Sequence, residues 1–155
     1  MFNKYSFWLK VSIVIQYLTG IFHMIGFLTN PDPANEQEKQ LFDLMKNYQF
    51  DLGAGFHRSM KNLMDSFSLS FALLLFFTAT LLWYLLKNNI NHHTMKGAIL
   101  LSTGMYAICF IIMSLYTFLP PVVCTGLIVL TLTIALFKLS SKNNLPLKFL
   151  LKDEI

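Results

Sequence analysis

Charge is scarce in this sequence. Asp, Glu, Lys and Arg make up only 13% of its 155 residues, against roughly 25% in a typical soluble domain. A chain this poor in charge is ill-suited to a fully water-facing surface. Cysteine is scarcer still, with Cys109 and Cys124 alone and no C-x-x-C, which excludes a thiol oxidoreductase built on that motif. No G-x-S-x-G marks a nucleophile elbow, and no Glu-x-x-His pattern marks a di-iron bundle. No basic cluster with interleaved aromatics suggests nucleic acid. Nothing repeats at a fixed period, and no segment is low in complexity.

What is abundant is apolar sequence. The hydrophobic share is 55% and the mean hydropathy is +0.54. These residues gather into four long runs, Phe7–Leu28, Ser66–Leu86, Ala98–Leu119 and Val122–Leu139. At 1.5 Å per residue each can cross a hydrocarbon layer ~30 Å thick. The first run holds Gln16 and His23 and is followed by no small-x-small cleavage site, so it reads as a retained span rather than a signal peptide. The two cysteines then lie at depths differing by on the order of 10 Å, too far apart to bridge. The expected fold is all-α: an integral membrane four-helix bundle forming one domain over 1–155, with the lipid bilayer as its principal partner.

Four spans put both termini on one side. That side collects Lys4, Lys10, Lys87, Lys96, Lys138, Lys142, Lys148 and Lys152, eight of the twelve basic residues. The loop of residues 29–65 has Lys39, Lys46, Arg58 and Lys61, diluted by six acidic residues. Basic residues stay in the cytoplasm, so both termini are expected there, in a cell (inner) membrane, with the loop outside. Lys/Asn/Phe/Ile-rich usage fits an AT-rich bacterial coding sequence. Within the loop, Asn35-Glu-Gln-Glu38 suits a weakened capping box. Leu41, Leu44, Met45 and Tyr48 follow at i, i+3, i+4, i+7, which predicts a short extracytoplasmic amphipathic helix lying at the interface. Asp51-Leu-Gly-Ala-Gly55 reads as a flexible break, with Asp51 capping the next helix.

Polar residues inside spans mark faces turned from lipid. Ser12, Gln16, Thr19, Gly20 and His23 share one face of the first span. Ser102, Tyr106, Cys109, Met113, Tyr116 and Thr117 do much the same in the third. Arg58, Asn62 and Asp65 stand at i, i+4, i+7 at the start of the second, with His57 and Lys61 beside them. The candidate ligand-binding set is therefore His23, His57, Arg58, Lys61, Asn62, Asp65, Gln16 and Tyr106. It forms an outward-facing polar pocket for a small amphiphilic or lipid-soluble molecule. Arg58 would hold an anionic or carbonyl group, and Asp65 would orient Arg58 and Lys61. Asp65 and His23 are the candidate proton carriers if the chain is instead a membrane-embedded isomerase or oxidoreductase. A third reading makes the polar stripes contacts of a non-catalytic subunit with a membrane partner or a second copy. No metal site is assigned. His23 and His57 are the one pair that could serve haem or a metal, and the sequence leaves that and any cofactor open.

Gly20 and His23 in the first span, Arg58-Ser59 opening the second and the Phe67-Ser-Leu-Ser-Phe71 continuation together resemble a set of small uncharacterised bacterial four-helix membrane proteins. Where that set shows Trp-Asp and Gly-Phe, this chain has Lys61-Asn62 and Ser66-Phe67. The layout is similar to the DoxX-like group. In plan it is also similar to the emopamil-binding group, whose sterol-like ligands enter a four-helix pocket. The resemblance implies four spans, cytoplasmic termini and a small-molecule pocket.

Orientation is directly measurable. In a background of Cys109→Ala and Cys124→Ala, an impermeant maleimide should label Asn47→Cys from outside intact cells. Asn88→Cys should react only after permeabilisation, and the reverse result would invert the topology.

Overall fold

The structure is a computed structural model that describes residues 4–28 and 32–141, without the side chains of residues 27 and 28. Thr29–Pro31, Lys142, Lys148 and Lys152, on which parts of the loop and charge readings fall, lie outside the described residues. The elements are α1 (Tyr5–Leu28), α2 (Glu36–Asn47), β1 (Gln49–Asp51), β2 (His57–Ser59), α3 (Met60–Lys87), α4 (His92–Tyr116) and α5 (Leu119–Ser141). α1, α3, α4 and α5 are long and apolar enough to cross a membrane, with 22 to 28 residues each in the spanning segments.

Each helix starts ahead of the apolar run that announced it, and α4 stops at Tyr116, short of the run's end at Leu119. α3 starts at Met60 rather than residue 66 because Ser59 caps it. The Ser59 hydroxyl accepts from the Asn62 N–H at 3.2 Å, and Ser59 is buried. α4 starts at His92 because Asn91 accepts from the Thr94 N–H at 2.8 Å. α5 begins with two prolines: Pro120 and Pro121 sit in its first turn, where backbone N–H groups have no helical partner to lose. In α2 the capping box is present but shifted. Asn35 accepts from the Glu38 N–H at 2.9 Å, and Glu38 reaches back to the Ala34 N–H at 2.7 Å, one residue before the cap.

The chain forms two compact units. The first comprises the described residues up to Leu18 and from Phe76 onward. Its buried positions repeat at coiled-coil spacing, clearest in α5: Thr125, Ile128, Leu132, Ala135 and Leu139. Steps of three and four residues give the narrow seam of left-handed helix packing. α4 and α5 pack directly on each other. Their approach is close at Gly126, where a Cβ would sit 3.1 Å from the Phe110 ring. Hydroxyls in these helices bond back to the preceding turn, Thr103 to the Ile99 carbonyl, Thr125 to Pro121 and Thr131 to Leu127. A hydroxyl satisfied this way can sit in an apolar setting.

The second unit is Thr19–Leu75. It contains the one feature that the all-α expectation omitted, a two-stranded antiparallel hairpin of β1 and β2. Gln49 faces Ser59, Phe50 faces Arg58, and Asp51 faces His57. The supposed flexible break is its turn. Gly53 and Gly55 take φ of +82° and +80°, and Ala54 takes +52°, a reversal that glycine permits at no steric cost. Asp51 accepts from the Gly53 N–H at 2.9 Å, so it braces the turn instead of capping α3.

The Gly126 contact yields a stability prediction. Gly126→Val should cost about 1–3 kcal/mol through overpacking, read as detergent thermal unfolding. Adding Phe110→Leu should recover most of the loss, and no loss in the single variant would refute the close approach.

Candidate functional site

The residues singled out above occupy two separate settings. In the first unit, Gln16 and Ser12 are fully buried on α1. The Gln16 Nε2 donates to the Ser12 hydroxyl at 3.2 Å, and its Oε1 accepts from the Tyr106 hydroxyl of α4 at 3.0 Å. Thr78 of α3 hydrogen-bonds the same phenol, and Tyr17 of α1 bonds Thr80 of α3 at 2.8 Å. Polar groups from three helices thus satisfy one another. An amide, a phenol and two hydroxyls hold helices in register, since the alternative is an unpaired polar group in an apolar interior. The spacing points to Ser12, Gln16 and Tyr106. It misses Thr78, whose only signal is a hydroxyl inside the apolar stretch LLLFFTATLL. The stripe foreseen on α4 ends early: Tyr116 and Thr117 are exposed.

The second setting is the hairpin and the start of α3 in the second unit, with His23 of α1. Lys61 and Asp65 form an ion pair at 2.8 Å one helical turn apart, both side chains about one-third exposed. Such a pair contributes roughly 0.3–0.5 kcal/mol. Asn62 is exposed, its N–H bonded to Ser59 and its carbonyl to the Ser66 hydroxyl. His57 is exposed on β2 opposite Asp51. His23 is half-buried, set edge-on to Phe71 at 5.2 Å between ring centroids. Its Nε2 is buried with no hydrogen-bond partner among the described residues.

Arg58 departs most from expectation. The helical spacing that aligned it with Asn62 and Asp65 does not apply, because Arg58 lies on β2, ahead of the helix. Asp65 therefore orients Lys61 and not Arg58. The Arg58 Nη1 donates to the His57 carbonyl at 2.7 Å, and its guanidinium carbon stands 5.8 Å from the centre of the Phe56 ring. The side chain is exposed, and no carboxylate among the described residues lies within ion-pair reach of it.

Beside the hairpin the surface is apolar. An open hollow of about 330 Å³ is lined by Leu44, Met45, Tyr48, Phe50 and Met60. A broader one of about 580 Å³, lined by Gln40, Asp43, Leu44, Asn47 and Tyr48, runs along α2. Of the predicted apolar stripe of α2, Leu41, Leu44 and Tyr48 are more than half exposed and Met45 is half-buried. These lining residues were not among the sequence candidates. The available signal was period-two alternation, Tyr48 and Phe50 before the glycine turn and Phe56, Arg58 and Met60 after it. Among the described residues no three His, Cys, Asp or Glu side chains converge as a metal site would need.

Four apolar spans and a polar loop unit define a multi-pass membrane protein. No family model, curated protein or solved structure matches the chain.

The buried network predicts a measurable coupling. Tyr106→Phe strands the Gln16 Oε1, and Gln16→Leu leaves the Tyr106 hydroxyl with Thr78 alone. A double-mutant cycle in detergent unfolding should give about 0.6 kcal/mol of coupling, up to ~1.7. Strict additivity would remove the bond from any stabilising role.

Proposed function

We propose that the chain is a cell (inner) membrane protein with cytoplasmic termini, whose outward-facing rim binds a small amphiphilic or lipid-soluble molecule. The observation that carries this reading is Arg58, a cation without a carboxylate partner among the described residues, held on a hairpin that opens directly into a span-length helix. Arginine at such a position can take an anionic or carbonyl group through a fork of N–H donors. Lys61 and Asp65 offer less to a ligand, because each is occupied by the other. The internally satisfied set of Ser12, Gln16, Thr78 and Tyr106 acts as scaffold in this reading.

One observation favours the enzymatic alternative, an isomerase or oxidoreductase acting on a lipid-soluble substrate. The buried Nε2 of His23, unpartnered among the described residues, is the kind of group that could accept a hydrogen bond or proton from a substrate. Asp65 has a weaker claim as proton carrier, since Lys61 already occupies it.

Native mass spectrometry on protein released gently from membranes tests the binding reading. The wild type should retain an amphiphile, Arg58→Gln should lose it, and Asp65→Asn should keep it. A wild type that carries no small molecule would overturn the proposal.

A further inference from the structure

We infer that the apolar face shared by α2, the hairpin and the first turns of α3 is a site for an anionic phospholipid of the membrane that the chain crosses. Arg58 takes the phosphate and the hollow takes an acyl chain. The inference rests on the amphiphile-binding reading above and names its ligand class.

The hairpin register brings cation and hollow together. Directly opposed residues of an antiparallel pair project to the same side, and so do residues two apart along a strand. Phe50 faces Arg58 across the strands. The Phe56 ring just ahead of β2 centres 5.8 Å from the Arg58 guanidinium carbon, and Met60, the first residue of α3, lines the hollow beside Phe50. Tyr48 packs edge-on against Phe50, with ring centroids 5.0 Å apart. One face of the hairpin is therefore aromatic and apolar, with a single cation in it. Phe50, Met60 and Tyr48 of that face line the 330 Å³ hollow together with Leu44 and Met45 of α2.

The hollow also has an apolar exit. Met60, Met64 and Phe67 stand at i, i+4, i+7 on α3, so they form one stripe, exposed by 38%, 52% and 74%. An acyl chain in the hollow would continue along this stripe, down a helix long enough to cross the bilayer. The Lys61–Asp65 pair occupies a different face of the same turns and does not interrupt it.

Charge selects the head group. The guanidinium is restrained by the His57 carbonyl and the Phe56 ring, and its remaining donors fit the paired oxygens of a phosphate. An uncharged lipid would leave Arg58 without a counter-ion, a zwitterionic phospholipid would bring its own ammonium up against the guanidinium, and free phosphate would leave the hollow unused. A phospholipid with net negative charge uses both.

The test places full-length protein in vesicles of zwitterionic phospholipid containing a minor fraction of phosphatidylglycerol. Phe50→Trp serves as reporter after Trp8→Phe and Trp83→Phe, and Tyr48→Trp provides a second reporter against local disturbance. Acyl chains of one lipid or the other carry bromine, which quenches tryptophan on contact. Brominated phosphatidylglycerol should quench as if enriched about fivefold at the reporter, the scale of one basic residue at an anionic surface. Arg58→Gln should abolish the preference and Lys61→Gln should preserve it. Equal quenching by both lipids, or none by either, would overturn the inference. Should an amphiphile be retained in native mass spectrometry while this preference is absent, the ligand class falls and the broader binding reading stands.

Discussion

A hydroxyl or amide in hydrocarbon finds no water, and each unpaired group costs several kcal/mol. This constraint explains where the polar side chains of the four long helices end up. Thr103, Thr125 and Thr131 bond back to their own helices. Ser12, Gln16 and Tyr106 bond one another, and Tyr17 finds Thr80. Each solution uses a partner within reach of the same face or a facing helix, so polarity in the spans becomes a constraint on packing. Among the described residues His23, whose Nε2 lacks such a partner, is the exception.

The loop unit works under the opposite condition, with apolar groups that have not been covered. Ser59 both ends β2 and caps α3, so the hairpin and the span-length helix are joined without a linker. That junction carries the aromatic hairpin face straight into the exposed stripe of Met60, Met64 and Phe67. A soluble protein would bury such a face, whereas at a membrane interface lipid can do so. An arginine within that face has an aromatic stem partner in Phe56 and a head group left for anions.

Much of this is legible in the amino-acid sequence. Span-length runs identify α1, α3, α4 and α5, since little except a bilayer calls for them, and i, i+3, i+4, i+7 spacing locates α2. The Ser12–Gln16 face follows from the same reasoning. The hairpin is hidden, because its strands have three residues each and helical spacing can be drawn through Arg58, Asn62 and Asp65 by coincidence. Gly53-Ala-Gly55 is the deciding signal: glycines that look like slack are a turn with positive φ. Partner choice is equally hidden. Asp65 has two cations within reach along the sequence, and only the break between strand and helix at Ser59 separates Arg58 from it.

The rim makes sense as a lipid-facing surface only if its apolar side chains actually meet hydrocarbon. Power-saturation electron paramagnetic resonance on spin labels at Leu44, Phe50, Lys46 and Gln49, one at a time in reconstituted bilayers, measures this contact directly. Labels at Leu44 and Phe50 should collide preferentially with oxygen dissolved in the lipid, and those at Lys46 and Gln49 with a water-soluble nickel chelate. Equal collision with the chelate at all four positions would place the unit in water and contradict a lipid-facing rim.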